Sequence, residues 1–129
     1  MIWFKRKRLK VLLLMSKKVP IIKGALPDNE YDLDNKSDLL RLGLDSNTDQ
    51  KIADKYVHYK NCQYAIVEFK SSTLRKALDQ LETTAKRLMS IGKGIDFSII
   101  VIHRLSSWEK RIFKRGRDKL LRDPQTGNP

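Results

Sequence analysis

Residues 64–88 read Tyr64-Ala65-Ile66-Val67-Glu68-Phe69-Lys70-Ser71-Ser72-Thr73-Leu74-Arg75-Lys76-Ala77-Leu78-Asp79-Gln80-Leu81-Glu82-Thr83-Thr84-Ala85-Lys86-Arg87-Leu88, and the apolar period changes within them. Tyr64 to Lys70 has the β-branched and aromatic content of a strand. From Leu74 onward, Leu74, Leu78, Leu81, Ala85 and Leu88 recur at alternating steps of four and three, the stripe of an amphipathic helix. Ser71, Ser72 and Thr73 are its candidate N-caps, and Gly92 and Gly94 supply the stop. The next run, Phe97 to His103, is nearly continuously apolar, as a strand covered on both faces should be.

Upstream, Lys51 to Val57 predicts a strand, joined to Tyr64–Lys70 through the polar linker His58-Tyr59-Lys60-Asn61-Cys62-Gln63 as a hairpin. Residues 24–50 are rich in Asp, Asn, Ser and Gly; their one helical segment is Ser37 to Leu44, with Gly43 arguing for an early stop. Downstream, Ser106 or Ser107 caps a last helix carrying Trp108, Ile112 and Phe113, interrupted at Gly116. The order helix, strand, strand, helix, strand, helix predicts an α/β fold with a mixed β-sheet flanked by helices.

A chain of 129 residues makes one domain and needs neither disulfides nor a metal to bury a core. A composition 40% hydrophobic and 33% charged argues against a membrane protein and against wholesale disorder. Lys plus Arg number 27 against 15 Asp plus Glu, a net charge of +12 that suits a polyanionic partner, nucleic acid first and an anionic membrane second. The charge is segregated: residues 1–23 carry eight basic side chains and no acid, whereas residues 24–50 carry seven acids against Lys36 and Arg41. The apolar run Val11 to Met15 is too short for a signal-peptide core or a membrane span. Residues 1–23 are therefore expected to form a peripheral basic arm, 24–122 a single domain and 123–129 a flexible tail. A single cysteine, Cys62, excludes an internal disulfide, and with His58 it lacks a second ligand pair for zinc. A reducing, cytoplasmic setting is the simplest expectation.

The chemistry concentrates on the Tyr64–Lys70 strand. Glu68 and Lys70 are two residues apart and leave the same face of the sheet, while Ala65, Val67 and Phe69 point to the other, which is expected to be the more heavily packed. Antiparallel pairing can bring Asp54, fourteen residues earlier, alongside Glu68. Two adjacent carboxylates repel unless a proton or a cation intervenes. A hard divalent ion such as Mg²⁺ is suited to two carboxylates completed by water and phosphate oxygens, and Mn²⁺ would fit the same donors. No Ser–His–Asp relay and no glycine-rich phosphate loop is evident, so Ser71 and Ser72 read as caps and His103 as an ordinary strand-end histidine.

Asp54, a hairpin, Glu68-Phe69-Lys70 on the following strand and a helix after it resemble the PD-(D/E)XK nuclease superfamily, across roughly residues 50–105. Restriction endonucleases, Holliday-junction resolvases and small nucleases of viruses and plasmids belong to that superfamily, and the stretch Ala77-Leu78-Asp79-Gln80-Leu81 is similar to members in which a glutamine follows the tripeptide. The resemblance implies a restriction-endonuclease-like fold and a Mg²⁺-dependent endonuclease acting on duplex or branched DNA. It implies Asp54, Glu68 and the Phe69 carbonyl as metal ligands, with Lys70 holding the attacking water and Gln80 orienting that water or touching phosphate. The sequence departs from the family pattern at Ala53, where a proline often precedes the first acid, and Pro27-Asp28 lies too far upstream to replace it. Many members add an acid from the first helix; Glu30, Asp34 and Asp38 are the candidates, and the sequence does not choose among them.

Near the carboxyl terminus, Lys110, Arg111, Lys114, Arg115, Arg117, Lys119 and Arg122 have the spacing of a helix side plus a turn and are expected to track DNA phosphates. One site per chain makes a two-fold homodimer the simplest device for cutting both strands. No organic cofactor and no membrane association are expected. Two other readings remain open on the residues: a DNA-binding or regulatory module of the same fold without catalysis, and a protein-interaction module using the Trp3–Met15 arm.

Overall fold

The computed structural model describes residues 2–6, 9–16, 18–45, 51–69 and 73–102. Within them a six-stranded mixed sheet and two helices follow the order β1 (Ile2–Arg6), β2 (Leu9–Met15), β3 (Pro27–Asp32), α1 (Lys36–Leu42), β4 (Lys55–Tyr59), β5 (Tyr64–Phe69), α2 (Leu74–Ser90) and β6 (Phe97–Ile102). Across the sheet the strands lie β1-β2-β6-β5-β4-β3. β2 runs parallel to β6 and β6 parallel to β5; the other neighbours are antiparallel. A parallel β5–β6 pair requires a crossover, and α2 provides it.

Both helices cover one face. Leu39 and Leu42 of α1 and Leu74, Ala77, Leu78, Leu81, Ala85 and Leu88 of α2 pack with Val11, Leu13, Tyr56, Ile66, Ile100 and Ile102 of the sheet. Thr73 caps α2 by accepting from the Lys76 amide, as the cap-rich triplet before it predicts. Gly43 ends α1 at φ 87°, a left-handed position where a side chain is strained, and its amide returns to the last turn. The opposite face joins Leu12, Leu14, Val57, Tyr59, Ala65, Val67, Phe97, Ile99 and Val101 into a second core. Ile22 and Ala25, from the segment linking β2 to β3 at opposite sides of the sheet, are buried in that core, and the Tyr59 hydroxyl donates to the Pro20 carbonyl at 2.9 Å.

Three expectations change. Residues 1–23 are not a peripheral arm where the structure describes them: β2 lies between β1 and β6, and Val11, Leu12 and Leu13 are at most 1% exposed. The five-residue apolar run that is too short for a membrane is the right length for an interior strand. β3 falls inside the stretch read as loop, because it is a polar, largely exposed edge strand with no apolar alternation to detect, and it begins at proline as edge strands tolerate. β4 starts at Lys55 rather than Lys51, since the Ala53 amide donates to the Thr84 hydroxyl at 2.6 Å and is drawn to α2 instead of the ladder. The expected last helix and the tail, with His103, lie outside the described residues.

Leu12→Ala tests the altered role of the amino-terminal segment. Emptying a fully buried site on an interior strand should lower stability by about 2–5 kcal/mol in urea unfolding, whereas a peripheral arm would register almost nothing.

Candidate metal centre

The β4–β5 register pairs Lys55 with Val67 and Tyr56 with Ile66, so one step further places Asp54 opposite Glu68. The chain secures this end of the ladder with side-chain chemistry. The Phe69 amide donates to Asp54 Oδ2 at 2.7 Å, where a regular strand would offer a carbonyl, and the Asp54 amide donates to the Val67 carbonyl at 3.0 Å. Glu68 stands next to this contact, only 4% exposed, on the face that carries Ile66 and the helices. The face of Ala65 and Val67 is therefore not more heavily packed than the Glu68 face; Ile66, Ala65 and Val67 are all completely buried.

Burial pushes the Glu68 carboxyl from its ordinary 4.5 to about 9, helped by a hydrogen bond with Asp54 and by the Asp54 charge, with a smaller push from Asp34. Burial and the neighbouring Asp54 thus favour the protonated form of Glu68. Asp34 is the third acid at this end. The Leu33 amide donates to the Asp54 carbonyl at 2.9 Å, which draws the turn after β3 toward Asp54. The Asp34 carboxyl is raised by partial desolvation and then by the charges of Asp54 and Asp32.

Of the three upstream acids, the structure brings only Asp34 into the field of the pair. Glu30 pairs with Lys55 at 3.1 Å, and Asp38 accepts from the Asp32 amide at 2.9 Å and binds Arg41 at 3.0 Å. Asp28 lies 3.5 Å from His58, away from Glu68. Asp34 carries no motif that marks it; its candidacy depends on the polar β3 strand that precedes it.

Gln80 is half-buried on α2, one turn before Thr84, and its carbonyl accepts from the Thr84 hydroxyl at 2.6 Å. Thr84 in turn holds Ala53, so Gln80 belongs to the helix strip behind Asp54 and its backbone is the engaged group. Phe69 enters through its amide, and its side chain packs against the core opposite the helices. Lys70 lies outside the described residues, as do Lys110, Arg111, Lys114, Arg115, Arg117, Lys119 and Arg122.

Among the described residues no group of three or more His, Cys, Asp or Glu side chains is arranged to hold a metal ion. The donors that do converge are oxygens only, from one carboxyl pair with a third acid in electrostatic reach. That set fits Mg²⁺, which is commonly held by one or two carboxylates and completes its shell with water and substrate phosphate. Comparison with protein-family models, with curated proteins and with solved structures finds no match for the chain.

The shifted carboxyl makes a stability prediction for the metal-free protein. Folded Glu68 keeps its proton where the unfolded chain releases it, so this group's contribution is fully present below about 4.5 and lost as pH rises toward about 9. Glu68→Gln, which mimics the protonated form, should remove that slope. In EDTA the melting temperature of the variant should gain on the wild type by about 5 °C or more between pH 5 and pH 8.5; parallel curves would contradict the burial of a proton here.

Proposed function

We propose that the chain is a metal-dependent nuclease of the PD-(D/E)XK type that hydrolyses DNA phosphodiester bonds. The observation that supports this reading is the convergence of Asp54 and Glu68 at the end of the β4–β5 ladder, from positions fourteen residues apart. An acid buried beside another acid is costly in a purely structural role, and a buried carboxylate pair is most economically used by a cation.

In this reading Asp54 and Glu68 hold the metal, with Asp34 as a further acid within reach. A bound divalent cation supplies Lewis-acid stabilisation for the negative charge that develops on the phosphate oxygens. The protein's own part is positioning. The Phe69 amide fixes the orientation of Asp54 through its 2.7 Å hydrogen bond, and Glu68, 4% exposed on the face that α2 covers, is largely shielded from bulk water. Lys70, next but one to Glu68 in the sequence, has the chemistry to hold the attacking water and offset phosphate charge. The Gln80 amide, from the strip behind Asp54, would contact that water or the phosphate.

The test is cleavage of supercoiled plasmid and of branched DNA with Mg²⁺ or Mn²⁺. Asp54→Asn, Glu68→Gln and Lys70→Ala should each lower the rate at least about a hundredfold, while circular dichroism shows a folded chain. Full activity in any of the three would remove the assignment. DNA binding without cleavage by the wild type under either metal would favour the non-catalytic module instead.

A further inference from the structure

A second charged surface lies on the face opposite Glu68. The β1–β2 register sets Trp3 against Leu12 and Lys5 directly against Lys10. Because side chains alternate along a strand, Trp3, Lys5 and Lys10 share the face on which Leu12 is buried, whereas Glu68 shares its face with Ile66 and the helices. Like charges directly opposite each other on a ladder are destabilising, yet this pair is exposed and sits where an acid would have been the stabilising partner.

A third cation arrives from elsewhere in the chain. Ile22 and Ala25 close a tight turn by exchanging backbone hydrogen bonds of 3.1 and 2.9 Å, with Lys23 at φ 51° and Gly24 at φ 77° in the left-handed region. A lysine there is strained where asparagine or glycine is usual. Its ammonium stands 5.8 Å from the Trp3 ring centroid, and that of Lys10 stands 4.8 Å from the same centroid. The indole itself is half-buried and meets Phe97 edge-to-face at 5.7 Å, so it is a fixed pedestal. None of the three lysines forms an ion pair with an acid among the described residues.

We infer that Lys5, Lys10 and Lys23, gathered around Trp3, form a docking surface for the phosphate backbone of a nucleic acid. Trp3 holds two of the ammoniums at its ring by cation–π attraction, Lys5 faces Lys10 across the ladder, and a polyanion laid across them supplies the counter-charge they lack. In the sequence Lys5 is followed directly by Arg6, Lys7 and Arg8, three further positive charges. A bilayer surface fits less well, because membrane-seeking faces place free apolar side chains at their centre, and the centre here is an indole that is half-buried and overlaid by ammoniums. The surface goes beyond the nuclease reading: it needs neither metal nor carboxylates, and it would hold nucleic acid on the side of the sheet away from Glu68.

The experiment is fluorescence anisotropy with a labelled random-sequence duplex in EDTA, across a series of NaCl concentrations, for the full chain and a Lys5→Gln/Lys10→Gln/Lys23→Gln variant. Loss of three phosphate contacts should weaken binding about tenfold or more and flatten the logarithmic salt slope by about two to three. In a Trp108→Phe background, which leaves Trp3 as the single tryptophan, duplex should also change the emission of Trp3. Equal affinity and equal slope for the triple variant and the wild type would overturn the proposal. So would lysine-dependent binding to phosphatidylserine vesicles with lysine-independent binding to duplex. Because EDTA removes any divalent metal, cleavage makes no contribution to the anisotropy signal, so loss of docking is read separately from loss of cleavage.

Discussion

The hydrogen bond from the Phe69 amide to Asp54 Oδ2 joins the two things this molecule must reconcile, a strand ladder and a cluster of acids. By accepting in place of a backbone carbonyl, Asp54 ends the β4–β5 pairing with its own side chain and is immobilised as it does so. A slip of one residue in the register would turn Glu68 to the other face, among Val57, Ile99 and Val101, where it would meet only apolar groups. The same end of the sheet is tied to α2 through Ala53 and Thr84 and to the turn after β3 through Leu33, so three elements fix the surroundings of one carboxyl.

Glu68 shows what such a framework can hold. A carboxylate at 4% exposure is costly, and here burial and the neighbouring Asp54 favour its protonated form. Asp34, itself exposed, adds to the negative field at Glu68.

Charge follows the sheet. The β3 edge is acidic, with Asp28, Glu30 and Asp32, and the β1–β2 edge is basic, with Lys5 and Lys10 exposed on it. Both edges are awkward templates for pairing with another strand, the first through Pro27 and a register shift before Asn29, the second through its lysines. The two edges of the sheet therefore carry opposite charge, and the Asp54–Glu68 pair on β4 and β5 lies nearer the acidic one.

Local chemistry in the chain was sufficient for β5, α2 and β6. Their apolar periods differ sharply, Thr73 and the glycines bracket the helix, and the strands are apolar because both sheet faces are covered. The proximity of Asp54 to Glu68 was also legible, because a short hairpin leaves few registers. β3 was not, since an exposed edge strand carries no burial pattern, and β2 is masked in the sequence because an interior strand preceded by arginines and lysines looks like a basic arm. Only tertiary structure decided that Asp34 rather than Glu30 or Asp38 lies in the electrostatic field of the pair, and that Lys23 reaches Trp3. Both depend on long-range packing across the sheet, which brings together residues whose separation along the chain has no periodic trace.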